Sequence, residues 1–186
     1  MELRMTPLRL SPDDTTVVVV DLQERLMPSI SGGNQIVAAT RLVLQAAATL
    51  GVPVLTTTQY AKGLGPIVPA VFELVRSTPL DKTSFSCFGS PEFAAALAAL
   101  GRKTVLLCGV EAHICVLQTG LDAIANGFAV HVITDATGSR SDRDAELGWR
   151  RLERTGAVLS SAEMAIYELL RVSGTPAFGS LLPHLK

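Results

Sequence analysis

The chain has 186 residues, 48% of them hydrophobic and 18% charged, which is too apolar for intrinsic disorder. A chain of this length buries about 70% of its unfolded surface and needs no metal or disulfide staple. Its 16 Lys and Arg against 17 Asp and Glu leave a net charge of -1, without the basic excess that nucleic acid or an anionic membrane surface selects.

In chain order, Val17-Val18-Val19-Val20 is an unbroken apolar run, the pattern of a strand covered on both faces, and Asp21 stands at its end. Asn34 to Leu50 repeats apolar residues at helical spacing before Gly51, a C-terminal cap. Val52 to Thr56 predicts a second strand. Thr58 to Ser90, punctuated by Gly63, Gly65, Pro66, Pro69, Pro79 and Gly89, is expected to be irregular, with a helix at most over Val68 to Val75. Ser90 and Pro91 suit the start of a helix that runs to Leu100 and stops at Gly101. Thr104 to Cys108 reads as a strand, Gly109 to Ala112 as a turn, and His113 to Asn126 as a helix. A strand over Ala129 to Thr134, a helix over Asp142 to Thr155 and a short strand over Ala157 to Leu159 follow. Helices over Ser161 to Arg171 and Thr175 to His184 close the chain.

This alternation predicts a parallel α/β sheet with helices on both faces, and one domain over residues 1-186. No apolar run reaches a membrane span, Met1-Glu2-Leu3-Arg4 does not resemble a secretion signal, and an odd three cysteines fit a reducing compartment. A cytoplasmic protein is therefore expected.

In such sheets ligands bind beyond the carboxyl ends of the strands, so the loops there carry the chemistry. The first, Asp21-Leu22-Gln23-Glu24, lacks a glycine-rich phosphate turn, and neither GxxxxGK nor GxSxG occurs elsewhere. No nucleotide cofactor is expected. In the loop after the central strand, Gly109-Val110-Glu111-Ala112-His113-Ile114-Cys115, a cysteine falls in the first turn of a helix. Free N–H groups and the positive helix end there favour a thiolate and can hold an oxyanion. The alternative is a small buried hydrophobe, the ordinary fate of a free cysteine. Cys108 fits that description within its apolar run, and Cys87 has no local setting that marks it as functional. His113, two residues from Cys115, points elsewhere on a helix and makes no direct dyad with it. Without CxxC or HxxxH spacing, no metal site is expected. Asp21 and Lys82 are the remaining charged candidates, since a carboxylate following four buried valines needs a partner.

The segments VVVVDLQE, LDKTSFSCF, LLCGVEAHICVLQT and VHVITDATGSRS, with Asp21, Lys82 and Cys115 in that order, resemble the isochorismatase-like cysteine hydrolase superfamily. TQYAKGLGPIVPAV and VLSSAEMAIYELL are similar to the isochorismatase-domain-containing subgroup. The resemblance implies a three-layer α/β/α fold, Rossmann-like, with a six-stranded parallel sheet. It implies Cys115 as nucleophile, Asp21 as base and Lys82 as the cation favouring thiolate. It also implies a cis peptide at Val110–Glu111 and an oxyanion hole made of the Glu111 and Cys115 N–H groups. Gln23, Tyr60, Phe85, Phe88, His113 and Ile114 are candidates for the pocket lining. Thr57-Thr58-Gln59-Tyr60-Ala61-Lys62 contains no histidine where nicotinamidases of the superfamily bind a metal. The expected activity is hydrolysis of a small amide, carbamoyl or ureido C–N bond by a homo-oligomer without metal or cofactor. A vinyl-ether hydrolase of isochorismate type and a non-catalytic binding module on the same fold are the alternatives.

Overall fold

The computed structural model describes residues 9–75 and 77–185. In chain order the elements are β1 (Thr15–Val20), α1 (Gly33–Leu50), β2 (Val54–Gln59), α2 (Ala61–Leu64), α3 (Pro69–Phe72), β3 (Leu80–Lys82) and α4 (Pro91–Ala99). They continue as β4 (Thr104–Val110), α5 (Cys115–Ala125), β5 (Ala129–Gly138), α6 (Asp142–Arg154), β6 (Val158–Ser160), α7 (Ala162–Leu170) and α8 (Pro176–Leu181). One six-stranded sheet has the order β3-β2-β1-β4-β5-β6, and every pair is parallel.

The buried valines of β1 divide by strand alternation. Val17 and Val19 pack with α1 and α7, through Val43, Leu44, Ala165 and Leu169. Val18 and Val20 pack with α4, α5 and α6, through Phe93, Leu97, Val116 and Leu152. Burial on both faces explains why β1 and β4 read as unbroken apolar runs rather than alternating ones. Among the described residues no helix is long and apolar enough to cross a membrane.

The chain winds outward from β1 through β2 to β3, then returns to the centre and winds the other way from β4 to β6. The strand order therefore reverses between β1 and β4, the switch point where a crevice opens at the carboxyl edge. Asp21 leaves one of these two strands and Cys115 follows the other.

The segment expected to be irregular contains β3, whose three residues pair Thr57 with Leu80, Thr58 with Asp81 and Gln59 with Lys82. A three-residue edge strand with an exposed aspartate in its middle is too short to show a period. β2 runs three residues beyond its expected end, to Gln59, because its last residues pair with that edge. β4 continues through Gly109 and Val110, which the sequence assigned to a turn, and β5 continues beside it to Gly138 after a register shift. Helix α5 begins at Cys115 rather than at His113, since Ile114 has a non-helical backbone (φ -122, ψ -89).

Candidate active site

Four buried valines carry the chain to the carboxyl edge, where Asp21 turns it sharply with φ 53. A positive φ is uncommon for a residue with a Cβ, though aspartate tolerates it better than most, and such strain clusters at functional sites. The turn is pinned by the Asp21 N–H donating to the Thr57 carbonyl at 3.2 Å and the Gln23 N–H donating to the Asp21 carbonyl at 2.8 Å. The Asp21 carboxylate is fully buried and each oxygen has a donor: the Thr57 hydroxyl at 2.7 Å on Oδ1 and Lys82 Nζ at 2.7 Å on Oδ2.

Lys82 ends β3, and its stem reaches past the end of β2 to the aspartate that follows β1. Its ammonium also donates to Gln59 Oε1 at 2.7 Å and the Ser84 carbonyl at 3.3 Å, so all three donors have acceptors. A buried ion pair keeps its charges only when its remaining valences are satisfied in this way.

Cys115 is the first residue of α5 and is 8% exposed, a narrow opening to solvent. Burial pushes its thiol up to about 12, reinforced by the negative charge of Asp21 and a hydrogen bond to that carboxylate, while Lys82 pulls the other way. The helix start and Lys82 favour a thiolate, and burial with Asp21 opposes it. The first cause is burial, which disfavours a charged sulfur, and the nearby Asp21 charge adds to it, outweighing the pull of Lys82.

Cys87, which had no evident setting in the sequence, also adjoins this group. It opens a short 3-10 turn (Cys87–Gly89), is fully buried, and has its Sγ 3.8 Å from Thr57 Oγ1 and its N–H bonded to Thr119 Oγ1 at 3.0 Å. Burial and then the charge of Asp21 push its thiol up to about 11, against the pull of Lys82. Cys108, sealed in the core, is also raised, by burial first and then by Asp135.

These thiols make stability pH-dependent. Each has a folded value above the ordinary 9.0, so folding favours the protonated form. That contribution is complete below pH 9 and is lost as pH rises from there toward the folded values. The decline steepens above pH 9 and is shared among the three thiols. Urea denaturation at neutral and alkaline pH is expected to show this decline, reduced in Cys108→Ala; a flat alkaline profile contradicts it.

Between β4 and α5 the Val110–Glu111 peptide is cis. The Ala112 N–H donates to the Gly138 carbonyl at 2.7 Å, and the N–H groups of Ile114 and Val116 donate to the Glu111 carbonyl at 3.0 and 3.2 Å. The Glu111 carboxylate turns to Arg140, accepting from its backbone N–H at 2.9 Å and its Nε at 3.1 Å, so this side chain ties the turn to the end of β5. α6 backs the turn through Gly148, where a Cβ would come within 2.6 Å of the Ala112 carbonyl oxygen.

The candidate pocket residues divide. His113 and Ile114 adjoin Cys115 and are half-buried, with His113 Nδ1 held 2.8 Å from Ser139 Oγ. Tyr60 and Phe85 are exposed, at 54% and 55%, in the loops after β2 and β3. Gln23 is fully buried and its amide is engaged by backbone: Nε2 donates to the carbonyls of Gln59 (3.2 Å) and Gly65 (2.7 Å), and Oε1 accepts from the Gln59 N–H (2.7 Å). It clamps the loop after β2 to β1. Phe88 packs edge-on against Phe93, with ring centroids 5.6 Å apart. A cavity of about 220 Å³ beside Lys82 is lined by Thr83, Ser84, Gly89 and Ser90 among others. A larger one, about 640 Å³, lies at the start of α1 and touches none of Asp21, Lys82 and Cys115. Among the described residues no three His, Cys, Asp or Glu side chains form a group able to hold a metal ion.

Thr57 and Gln59 were not singled out in the sequence, yet they hold Asp21 and Lys82 respectively. Their i, i+2 spacing on one face of a strand was the available signal, hidden because β2 was expected to end at Thr56.

Residues 15–164 match the sequence model of the isochorismatase domain. Isochorismatase domain-containing protein 1 of Danio rerio is 38% identical over 193 residues, covering 99% of this chain and 68% of the relative. A structure described as the MAR1 ribonuclease of Caenorhabditis elegans superposes with a TM-score of 0.89 at 35% identity, covering 95% of this chain and 92% of that one. The Escherichia coli YcaC product, described as an octameric hydrolase of unknown specificity, superposes with a TM-score of 0.89 at 26% identity, covering 95% and 90%. Matched along four-fifths of its length by the family's own pattern, and sharing its parallel six-stranded sheet with these structures, the chain belongs to the isochorismatase family.

Proposed function

We propose that this protein is a cysteine hydrolase that cleaves the C–N bond of a small amide, carbamoyl or ureido compound. The observation that carries the reading is one buried carboxylate, Asp21, bonded to Lys82 at 2.7 Å and near enough to the Cys115 thiol to raise it, at the switch point of the sheet. In the first half-reaction Asp21 takes the thiol proton as Cys115 Sγ attacks the carbonyl carbon, and the N–H groups of Glu111 and Cys115 hold the oxyanion. The tetrahedral species collapses, Asp21 returns the proton to the departing nitrogen, and ammonia or an amine leaves a thioester on Cys115. In the second half-reaction Asp21 takes a proton from water, hydroxide adds to the thioester, and the acid product leaves as the thiol is reprotonated. Lys82 holds the Asp21 carboxylate in place and tempers the charge that builds on sulfur. The groups act as a unit, so their titrations belong to the set. Every step uses groups of the chain and water, and the reading names no cofactor.

His113 and Ile114, beside the nucleophile, and Tyr60 and Phe85, in the neighbouring loops, are the side chains from which substrate contacts would come. The octameric state described for the E. coli neighbour supports a homo-oligomer here. Three free cysteines support work in a reducing compartment such as the cytoplasm. The nematode neighbour is described as a ribonuclease, but the near-neutral charge of this chain offers no basic excess for RNA, and a small molecule remains the proposed substrate. A vinyl-ether substrate is the second reading, favoured by the description of the family itself.

The test is a screen of small amides and ureido compounds for released ammonia. Wild type is expected to turn over at least one of them, with Cys115→Ala slower by at least about 10³-fold, the scale on which loss of a nucleophile is felt. Turnover of a vinyl ether by Cys115→Ala at the wild-type rate, with no amide hydrolysed, favours the second reading.

A further inference from the structure

Asp21 is gripped by Thr57 at two points. The Thr57 carbonyl accepts the Asp21 N–H at 3.2 Å, and the Thr57 hydroxyl donates to Oδ1 at 2.7 Å. The hydroxyl has one proton, and an ionised carboxylate can only accept, so that proton lies on the Asp21 side. The Cys87 thiol, 3.8 Å from the same Thr57 oxygen, is then the donor in its own contact, giving an ordered series from Cys87 to Thr57 to Asp21. Thr57 is fully buried, so no water substitutes for its hydroxyl.

Building on the cysteine-hydrolase reading, we propose that Thr57 is a positioning residue for the base. Its hydroxyl fixes the rotation of the Asp21 carboxylate, with Oδ1 on β2 and Oδ2 on Lys82, and thereby sets where the remaining lone pairs meet the Cys115 thiol. Removing the hydroxyl leaves Oδ1, in a fully buried carboxylate, without that donor. A threonine serving only as packing would act through its methyl group and leave the charge state of Asp21 alone.

The charged and titratable groups facing Asp21 are Lys82 from β3, Cys115 from α5 and Cys87 from the 3-10 turn, and substitutions at Thr57 retain all of them. The probe is iodoacetamide, with labelling of Cys115 followed by peptide-resolved mass spectrometry from acid to neutral pH. In wild type the rate is expected to climb through an acid limb as Asp21 becomes able to receive the thiol proton. Thr57→Val, which keeps the shape and removes the hydroxyl, is expected to move that limb upward by about 1–2 pH units, the scale of a hydrogen bond to a charged group. Thr57→Ser is expected to restore the wild-type midpoint. Should Thr57→Val fail to fold by circular dichroism, Thr57→Ala makes the same comparison. A folded hydroxyl-free variant whose profile superimposes on wild type overturns the proposal, as does Thr57→Ser shifting as far as valine. Wild type in which Cys115 is labelled no faster than Cys87 and Cys108 overturns the nucleophile reading, and the positioning role with it.

Discussion

Replacing Lys82 with methionine is expected to destabilise the protein by about 3–5 kcal/mol, because it leaves the Asp21 carboxylate buried without its cation. Asp21 is fully buried and its Oδ2 has Lys82 Nζ at 2.7 Å, so water cannot readily take the vacated place. For a chain of this length such a loss lowers the melting temperature by about 6–20 °C. The penalty belongs to the orphaned charge rather than to the loss of an attractive pair. Asp21→Asn combined with Lys82→Met is therefore expected to recover much of the stability while remaining inactive. Guanidinium denaturation of the single and double variants checks both statements. A Lys82→Met loss below about 1 kcal/mol, the range of exposed ion pairs, contradicts the burial argument.

Gly109→Ala is the second severe substitution, and here the obstacle is backbone. Gly109 has φ +112, and an added Cβ would lie 2.0 Å from the Val20 carbonyl oxygen and 2.6 Å from the Val20 nitrogen. These atoms belong to β1, the strand that delivers Asp21, so relief of the clash must part β1 from β4 at the site. A loss of more than about 4 kcal/mol is expected, in the class of exceptional single substitutions. Gly51 is the control: its φ is +68 and nothing lies within 4 Å of an added methyl, so Gly51→Ala should cost only about 1–2 kcal/mol of left-handed strain. Equal losses at the two positions, measured by chemical denaturation, contradict the steric account.

The architecture was legible where burial alone dictates sequence. The valines of β1 and the Thr104–Cys108 run announce strands covered on both faces, and Asp21 stood out because a charge follows them directly. β3 was not legible from pattern, since three residues at a sheet edge carry no period, and its existence followed only from the family resemblance. The short reading of β2 had a larger consequence. Thr57 and Gln59 are ordinary polar residues in sequence, and their work depends on partners 36 and 23 residues away. Cys87 is similar: nothing beside it in the chain marks it, and a turn between β3 and α4 brings it under Thr57. The groups that raise the Cys115 thiol were illegible for a related reason. A helix start can be read locally, whereas the burial of the thiol and the approach of Asp21 are made only by the fold.

The claim on which the mechanism rests is that Cys115 bonds covalently to the substrate's acyl carbon. Acid quenching of wild-type enzyme during turnover of an amide found in the ammonia screen, followed by peptide mass spectrometry, tests it most directly. The expected result is a Cys115 peptide heavier by the substrate mass less ammonia, absent from Asp21→Asn under the same conditions. Turnover that proceeds with Cys115 unmodified, and at the wild-type rate in Cys115→Ala, contradicts it.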